Sequence, residues 1–264
     1  MTRIAFIGGG NMAFAMVNGL RAGASFDIAV ADPVPAQLAR FEGASTTADN
    51  AAAAAGADAV VLAVKPQQIA EAVAATELDP AQLVISIAAG VPMHAIARWT
   101  SAGQPIVRCM PNTPALLGAG ITGAVPSGAV NAGHRKLAER ILSAAGEIVW
   151  FDEEESLDAV TALSGSGPAY FFYLLEAMVD AGAAIGVDAD AARRLAVATA
   201  LGAARMAAAG DADPATLRAR VTSPGGTTER ALSILASNRV DAAIRQAIEG
   251  AWHRSRELGK EFGE

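Results

Sequence analysis

The chain opens on Arg3-Ile4-Ala5-Phe6-Ile7-Gly8-Gly9-Gly10-Asn11-Met12-Ala13, and this stretch constrains the fold more than any other. A short apolar run of strand type meets a glycine turn, and apolar residues then recur at helical spacing at Met12, Met16, Val17 and Leu20. Gly8, Gly10 and Ala13 fill the three small-residue positions of a dinucleotide-binding turn. The first glycine permits the tight turn, the second lets backbone N–H groups approach a diphosphate, and the alanine lets helix and strand pack closely. The diphosphate then lies at the positive end of the helix starting near Asn11. Ile28-Ala29-Val30-Ala31-Asp32 reads as a second strand ending in an acid, roughly 20 residues beyond the glycines, where a ribose-binding carboxylate is expected. A purely structural strand–helix turn is the competing reading.

Strand and helix signals alternate through the first half. Strands are expected at 3–7, 27–31, 59–63, 83–87, 105–109, 121–125 and 147–151, with helices near 11–22, 35–42, 48–55, 67–75, 92–100 and 131–145. Such alternation makes a mostly parallel sheet with helices on both faces. The last strands, around a glycine-rich stretch at 118–128, are expected to form an antiparallel edge. From Asp152 onward no convincing strand follows, and helices are expected over about 156–185, 189–209, 214–221, 227–237 and 240–262. The fold class is therefore an α/β Rossmann-type domain over 1–155 followed by an all-α domain over 156–264. The helix near 159–185 contains Asp158, Glu176 and Asp180 and reads as a core helix, not a membrane span.

Composition removes several classes of function. A net charge of −7 argues against a nucleic-acid partner. His94, His134 and His253 are far apart with no second ligand at metal spacing, so no metal site is expected. Cys109 is the only cysteine, which rules out an internal disulfide and fits a reducing cytoplasm. Arg3, the apolar run and Ala13-Phe14-Ala15 have the outline of a secretory signal, but glycines interrupt the run and that reading is rejected.

Ligands of an open α/β sheet collect at the carboxyl ends of its strands. Polar or small residues stand there in Val64-Lys65-Pro66-Gln67, in Ala88-Ala89-Gly90 and in Met110-Pro111-Asn112-Thr113-Pro114. Lys65 reads equally as a phosphate or carboxamide ligand and as a solvated loop charge. In the helical half the polar island is Ser223-Pro224-Gly225-Gly226-Thr227-Thr228, just ahead of an apolar helix. Free N–H groups and hydroxyls at a helix start form an anion cradle, and an ordinary capped loop is the alternative.

Taken together these stretches resemble the pyrroline-5-carboxylate reductase family over nearly the full length. The likeness rests on the glycine turn, Ala63-Val64-Lys65-Pro66, Ala88-Ala89-Gly90, Asn112-Thr113-Pro114, Leu163-Ser164-Gly165-Ser166-Gly167-Pro168-Ala169-Tyr170 and Ser223-Pro224-Gly225-Gly226-Thr227-Thr228, in that order. The resemblance implies reduction of 1-pyrroline-5-carboxylate to L-proline by hydride from NADPH or NADH, the last step of proline biosynthesis. It also implies an all-helical dimerisation domain, a substrate pocket completed at the dimer interface, and in many members a decamer of five dimers. Carried over residue by residue, it places the cofactor on Gly8, Gly10, Asn11, Met12, Ala13, Asp32, Asn50, Ala63, Val64, Lys65, Pro66, Ala88, Ala89 and Gly90, with Asn112 near the nicotinamide. The substrate falls to Ser223, Gly225, Gly226, Thr227 and Thr228, with the carboxylate on Ser223, Gly226 and Thr227 and the ring nitrogen facing Thr228, the catalytic hydroxyl.

Three positions depart from the family's pattern. Thr227 stands where many relatives carry alanine, Arg220 where some place asparagine against the cofactor, and Asp32 where members often show a residue suited to a 2′-phosphate. No role is carried to Arg220, and the choice between NADH and NADPH stays open. Two rival functions remain. A β-hydroxyacid or 6-phosphogluconate type of dehydrogenase uses a lysine on its inter-domain helix, yet Lys65, Lys136 and Lys260 all lie outside 156–209. A non-catalytic nucleotide-sensing module has no need of the 223–228 loop.

Overall fold

The computed structural model describes residues 1–23 and 26–263. Its strands are β1 (Arg3–Ile7), β2 (Asp27–Ala31), β3 (Ser45–Thr47), β4 (Ala59–Leu62), β5 (Leu83–Ser86), β6 (Ile106–Met110), β7 (Gly120–Pro126) and β8 (Gly146–Trp150). They form one sheet in the order β3-β2-β1-β4-β5-β6-β7-β8. Every neighbouring pair is parallel except β6 and β7, where Val107 faces Pro126 and Met110 faces Gly123. The antiparallel element expected at the end of the sheet is thus one pair, and β8 runs parallel to β7 with Gly120 opposite Gly146. β3 was not expected: it is three residues of Ser-Thr-Thr on an edge, too short and polar to leave a hydrophobic pattern.

The helices between these strands are α1 (Asn11–Gly23), α2 (Pro35–Leu38), α3 (Asn50–Ala54), α4 (Ile69–Ala74), α5 (Met93–Trp99) and α6 (Ala132–Leu142). Alternation along the strands divides the core in two. Ile4 and Phe6 of β1, with Val30, Val61, Ile85 and Val107, join Met16 and Leu20 of α1 and Ile141 and Leu142 of α6. Ala5 and Ile7, with Ala29, Val60, Leu62 and Val84, join Ala53 of α3, Val73 of α4 and Ile96 of α5. A sheet buried on both faces explains why its central strands read as continuous apolar runs.

After β8 come α7 (Ser156–Val160), a π-helical turn at Thr161–Gly165, α8 (Gly167–Ala184), α9 (Ala189–Ala208), α10 (Pro214–Arg220), α11 (Thr227–Ser237) and α12 (Val240–Gly263). The chain forms two compact units, Met1–Ser166 with Gly250–Glu264, and Gly167–Glu249. This differs from the division expected at 155/156 at both ends. Leu157 and Ala162 are buried, and the Ser164 carbonyl accepts from the Asn112 side chain at 3.1 Å, so 156–166 belongs with the sheet. The end of α12 belongs there too: Ser255 Oγ donates to Asp158 at 2.7 Å, and the Gly263 carbonyl accepts from Arg98 at 2.6 Å. The second unit is all-α as expected, and α8 exposes Phe171, Phe172 and Tyr173 by 63%, 65% and 75%. No described helix is long and apolar enough to cross a membrane.

Candidate active site

β1 ends at Ile7 because Gly8 turns the chain at φ +104°. Its N–H donates to the Ala31 carbonyl at 2.8 Å, tying the turn to β2. A Cβ at Gly8 would lie 2.8 Å from the Ala63 carbonyl, so only glycine lets the ends of β1 and β4 come this close. Strand order reverses between these two strands, which is where open α/β sheets bind ligands. At Gly10 the situation is opposite: a Cβ would meet nothing within 4 Å. Open space therefore stands before the N-terminus of α1, whose first N–H groups have no carbonyl within the helix. Ala13 is fully buried, as a close helix–strand contact requires. Asn11 is exposed and Met12 half-buried at the helix start. The turn fits a diphosphate in shape and in polarity.

Other expected cofactor residues stand at the same edge of the sheet. The Ala63 N–H donates to Ile7 at 2.8 Å, placing Ala63-Val64-Lys65-Pro66 directly after β4. Lys65 is exposed and precedes the 3₁₀ turn Pro66–Gln68. Ala88 is buried, Ala89 exposed, and Gly90 lies under the end of α12, where a Cβ would sit 3.2 Å from Leu258 and Phe262. Asn50 begins α3 and donates to the Ala72 carbonyl at 3.3 Å.

Two of these residues are engaged within the protein. The Asn112 carboxamide donates to the Ser164 carbonyl and accepts the Ile121 N–H at 2.9 Å, both inside the first unit. Its side chain joins the π turn to the start of β7 and so is committed to architecture. The Asp32 carboxylate accepts the Gly9 N–H at 2.7 Å and the Val34 N–H at 2.8 Å.

In the second unit α10 ends at Arg220, which is exposed. The Thr222 hydroxyl donates to the Arg218 carbonyl at 2.7 Å, and the Gly226 N–H closes a turn on the Ser223 carbonyl at 3.0 Å. Gly225 takes the left-handed conformation at φ +72°. Gly226 is the N-cap of α11, and no side chain caps that helix. Among the described residues the hydroxyls of Ser223, Thr227 and Thr228 therefore stand beside uncapped helix N–H groups without taking them. That excludes the capping role the sequence had left open for the threonines.

One residue of this turn went unnoticed in the sequence. Glu229 reaches back to accept the Gly225 N–H at 2.8 Å, fixing the glycine pair in place. Its position three residues after the N-cap is the capping-box spacing, the signal that would have found it. No group of three or more histidines, cysteines or carboxylates among the described residues is placed to hold a metal ion.

The family model for pyrroline-5-carboxylate reductase dimerisation matches residues 154–258, and one for coenzyme F420-dependent NADP oxidoreductases matches residues 3–90. The pyrroline-5-carboxylate reductase of Pseudomonas aeruginosa is 47% identical over 99% of this chain and 98% of its own length. The chain belongs to the pyrroline-5-carboxylate reductase family. A solved pyrroline-5-carboxylate reductase from Coxiella burnetii superposes with a TM-score of 0.92 at 40% identity, covering 97% of this chain and 98% of that one. The Plasmodium falciparum pyrroline carboxylate reductase, solved with NADP bound, gives 0.87 at 26% identity over 98% of both chains. As a reductase of this family the chain is an NAD(P)H-dependent oxidoreductase, and its helical half carries the family's dimerisation segment.

Proposed function

We propose that this chain reduces 1-pyrroline-5-carboxylate to L-proline, holding the dinucleotide on Gly8–Ala13 and the substrate on Ser223–Thr228. The observation that carries the assignment of roles is the uncapped start of α11, with free hydroxyls beside it. A substrate carboxylate there accepts helix N–H groups, as anions do at helix N-termini. Ser223, Gly225, Gly226 and Thr227 orient that carboxylate, and Glu229 keeps Gly225 in the conformation that leaves the cradle open.

Bound dihydronicotinamide supplies a hydride for the imine carbon. The substrate nitrogen, protonated from solvent as the iminium, becomes an amine as the hydride arrives, so the protein needs no strong acid or base of its own. Its contribution is orientation together with one hydrogen bond to that nitrogen, and the Thr228 hydroxyl is assigned to it. Ala63–Pro66, Ala88–Gly90, Asn50 and the backbone at Asn112 complete the cofactor's surroundings. The absence of lysine from 156–209 argues against oxidation of a hydroxy acid.

We assign cofactor binding to the sheet unit, Met1–Ser166 with Gly250–Glu264, and dimerisation and substrate binding to the helical unit Gly167–Glu249. The exposed aromatic run on α8 supports self-association, since a helix apolar around much of its circumference needs partners on several sides. We assign an obligate homodimer as the working unit and a decamer of five dimers as the larger assembly. A cytoplasmic setting is proposed on the single cysteine.

The test is direct. Purified protein with NADH or NADPH is given 1-pyrroline-5-carboxylate, and the near-ultraviolet absorbance of the reduced nicotinamide is followed. A fall in absorbance is expected, with no comparable activity on 3-hydroxyisobutyrate or 6-phosphogluconate. Equal turnover of a hydroxy acid would overturn the assignment, and dinucleotide binding without turnover of any substrate would favour a sensing module.

A further inference from the structure

We propose that Asp32 reads the 2′ position of the adenosine ribose and makes this chain selective for NADH, with a 2′-phosphate rejected at the turn after β2. The inference rests on Gly8–Ala13 being the dinucleotide cradle and deepens that reading.

β1 and β2 are parallel neighbours with Ile7 opposite Ala31, so Gly8 and Asp32 leave the sheet side by side. Asp32 is held there on every side. Its own N–H donates to the Thr47 carbonyl of β3 at 3.1 Å. One carboxylate oxygen accepts the Gly9 N–H at 2.7 Å and the other the Val34 N–H at 2.8 Å. A Cβ on Gly9 would fall 3.3 Å from the carboxylate and 3.2 Å from the Phe41 ring, so the acid lies directly against the glycine turn.

An ionised carboxylate offers about four lone-pair directions. With two taken by backbone donors, both oxygens keep room to accept hydroxyls, and the residue is only half-buried. The 2′ and 3′ hydroxyls of an unphosphorylated ribose are donors and complement it. A 2′-phosphate is acceptor-only and carries a charge of about −1.5 to −2.

Nothing in the turn offsets that charge. From Asp32 to Ala39 the chain reads Asp-Pro-Val-Pro-Ala-Gln-Leu-Ala, with no lysine, arginine, serine, threonine or tyrosine. Its one amide side chain, Gln37, accepts from Arg40 at 2.9 Å. Arg40 itself lies over the Phe14 ring, 4.4 Å from its centroid. The Plasmodium relative was solved with NADP bound, so the selectivity is placed in the turn and not in the fold.

Equilibrium binding without substrate tests the proposal. NADH and NADPH are titrated separately by nicotinamide fluorescence and by calorimetry, at low and moderate salt. NADH is expected to bind about tenfold or more tightly than NADPH, since a like-charge contact is a strong penalty at an interface. The margin is expected to narrow as salt rises. Asp32→Asn keeps the shape of the side chain and is expected to shrink the margin.

Asp32 also braces the turn, so a second variant leaves it in place. Val34 is 49% exposed, and Val34→Arg is expected to tighten NADPH while leaving NADH nearly unchanged. Equal or tighter binding of NADPH to the unaltered protein would overturn the selectivity while leaving the cradle standing. A ratio unmoved by both variants would do the same. Failure to bind either dinucleotide would overturn the cradle itself, and the selectivity with it.

Discussion

The Glu154 carboxylate accepts from the Arg108 guanidinium with the same oxygen that takes the Met93 N–H at 2.6 Å. Arg108 lies in β6 and is only 7% exposed, while Met93 opens α5. One acid thus serves a buried cation and an orphan helix N–H together.

Removing that acid leaves the guanidinium buried and unpaired, which is worse than never having had the pair. Glu154→Ala is expected to cost about 2–3 kcal/mol, tempered by the partial exposure of Glu154. Glu154→Gln, which keeps an acceptor for both donors, is expected to recover part of the loss. Urea denaturation of the three proteins checks the order.

The glycine turn separates folding from binding. Gly8→Ala places a methyl group against the Ala63 carbonyl at a φ that side chains avoid, with an expected cost of about 2 kcal/mol or more. Gly10→Ala meets no protein atom. Its melting temperature is expected to stay near that of the unaltered chain while dinucleotide affinity drops. Thermal unfolding with and without cofactor distinguishes the two variants, and normal affinity in Gly10→Ala would remove the diphosphate from that turn.

Thr228 caps nothing, so its removal is not expected to destabilise α11. Thr228→Ala and Thr228→Val are expected to lower kcat/KM by roughly one to three decades, about 1.4–4 kcal/mol of barrier. Thr228→Ser is expected to restore most of it. Steady-state kinetics beside melting curves checks this, and near-normal kcat/KM in both the alanine and valine variants would deny the hydroxyl a role.

Cys109 is buried beside Arg108, and burial pushes its thiol well above the ordinary range, with the arginine offsetting only part. In the unfolded chain the thiol ionises near pH 8.5. Above that pH the unfolded state holds fewer protons than the native one, so stability falls as pH rises. The thiol's contribution is therefore intact below about pH 8 and declines by about 1.4 kcal/mol per further pH unit. Cys109→Ala is expected to lack this component, as denaturation at pH 7, 8.5 and 9.5 would reveal. Iodoacetamide is expected to label the native chain only on unfolding.

The glycine turn and the strands around it were legible because local constraints dominate there. Gly8, Gly10 and Ala13 are each fixed by a close approach or an opening that one residue type satisfies, and apolar runs mark strands buried on both faces. β3 was not legible, since Ser45–Thr47 forms an edge through backbone pairing alone. Nor was the engagement of Asn112, whose partners Ser164 and Ile121 are set by tertiary contact. The π turn at Thr161–Gly165 was not legible either, since the sequence reads as one helix over about 156–185. Its longer Ser166-to-Thr161 bond at 2.8 Å is accompanied by Ser164 and Thr161 hydroxyls turning back onto the helix. Ser223–Thr228 was recognisable as a polar island, but only the backbone shows that its hydroxyls are left free.

The return of α12 to the first unit gives the chain a particular order of completion. Ser255 meets Asp158 across 97 residues, and Gly263 meets His94 across 169. Contacts so distant along the chain form late. During synthesis the sheet emerges first, yet the brace over Gly90 must wait until the whole helical half has been made. The last turns of α12 thus act as a latch on the nucleotide-binding unit, closed only after the helical half has been made. A chain cut short within α12 would keep every glycine of the cradle and still lack the support behind it.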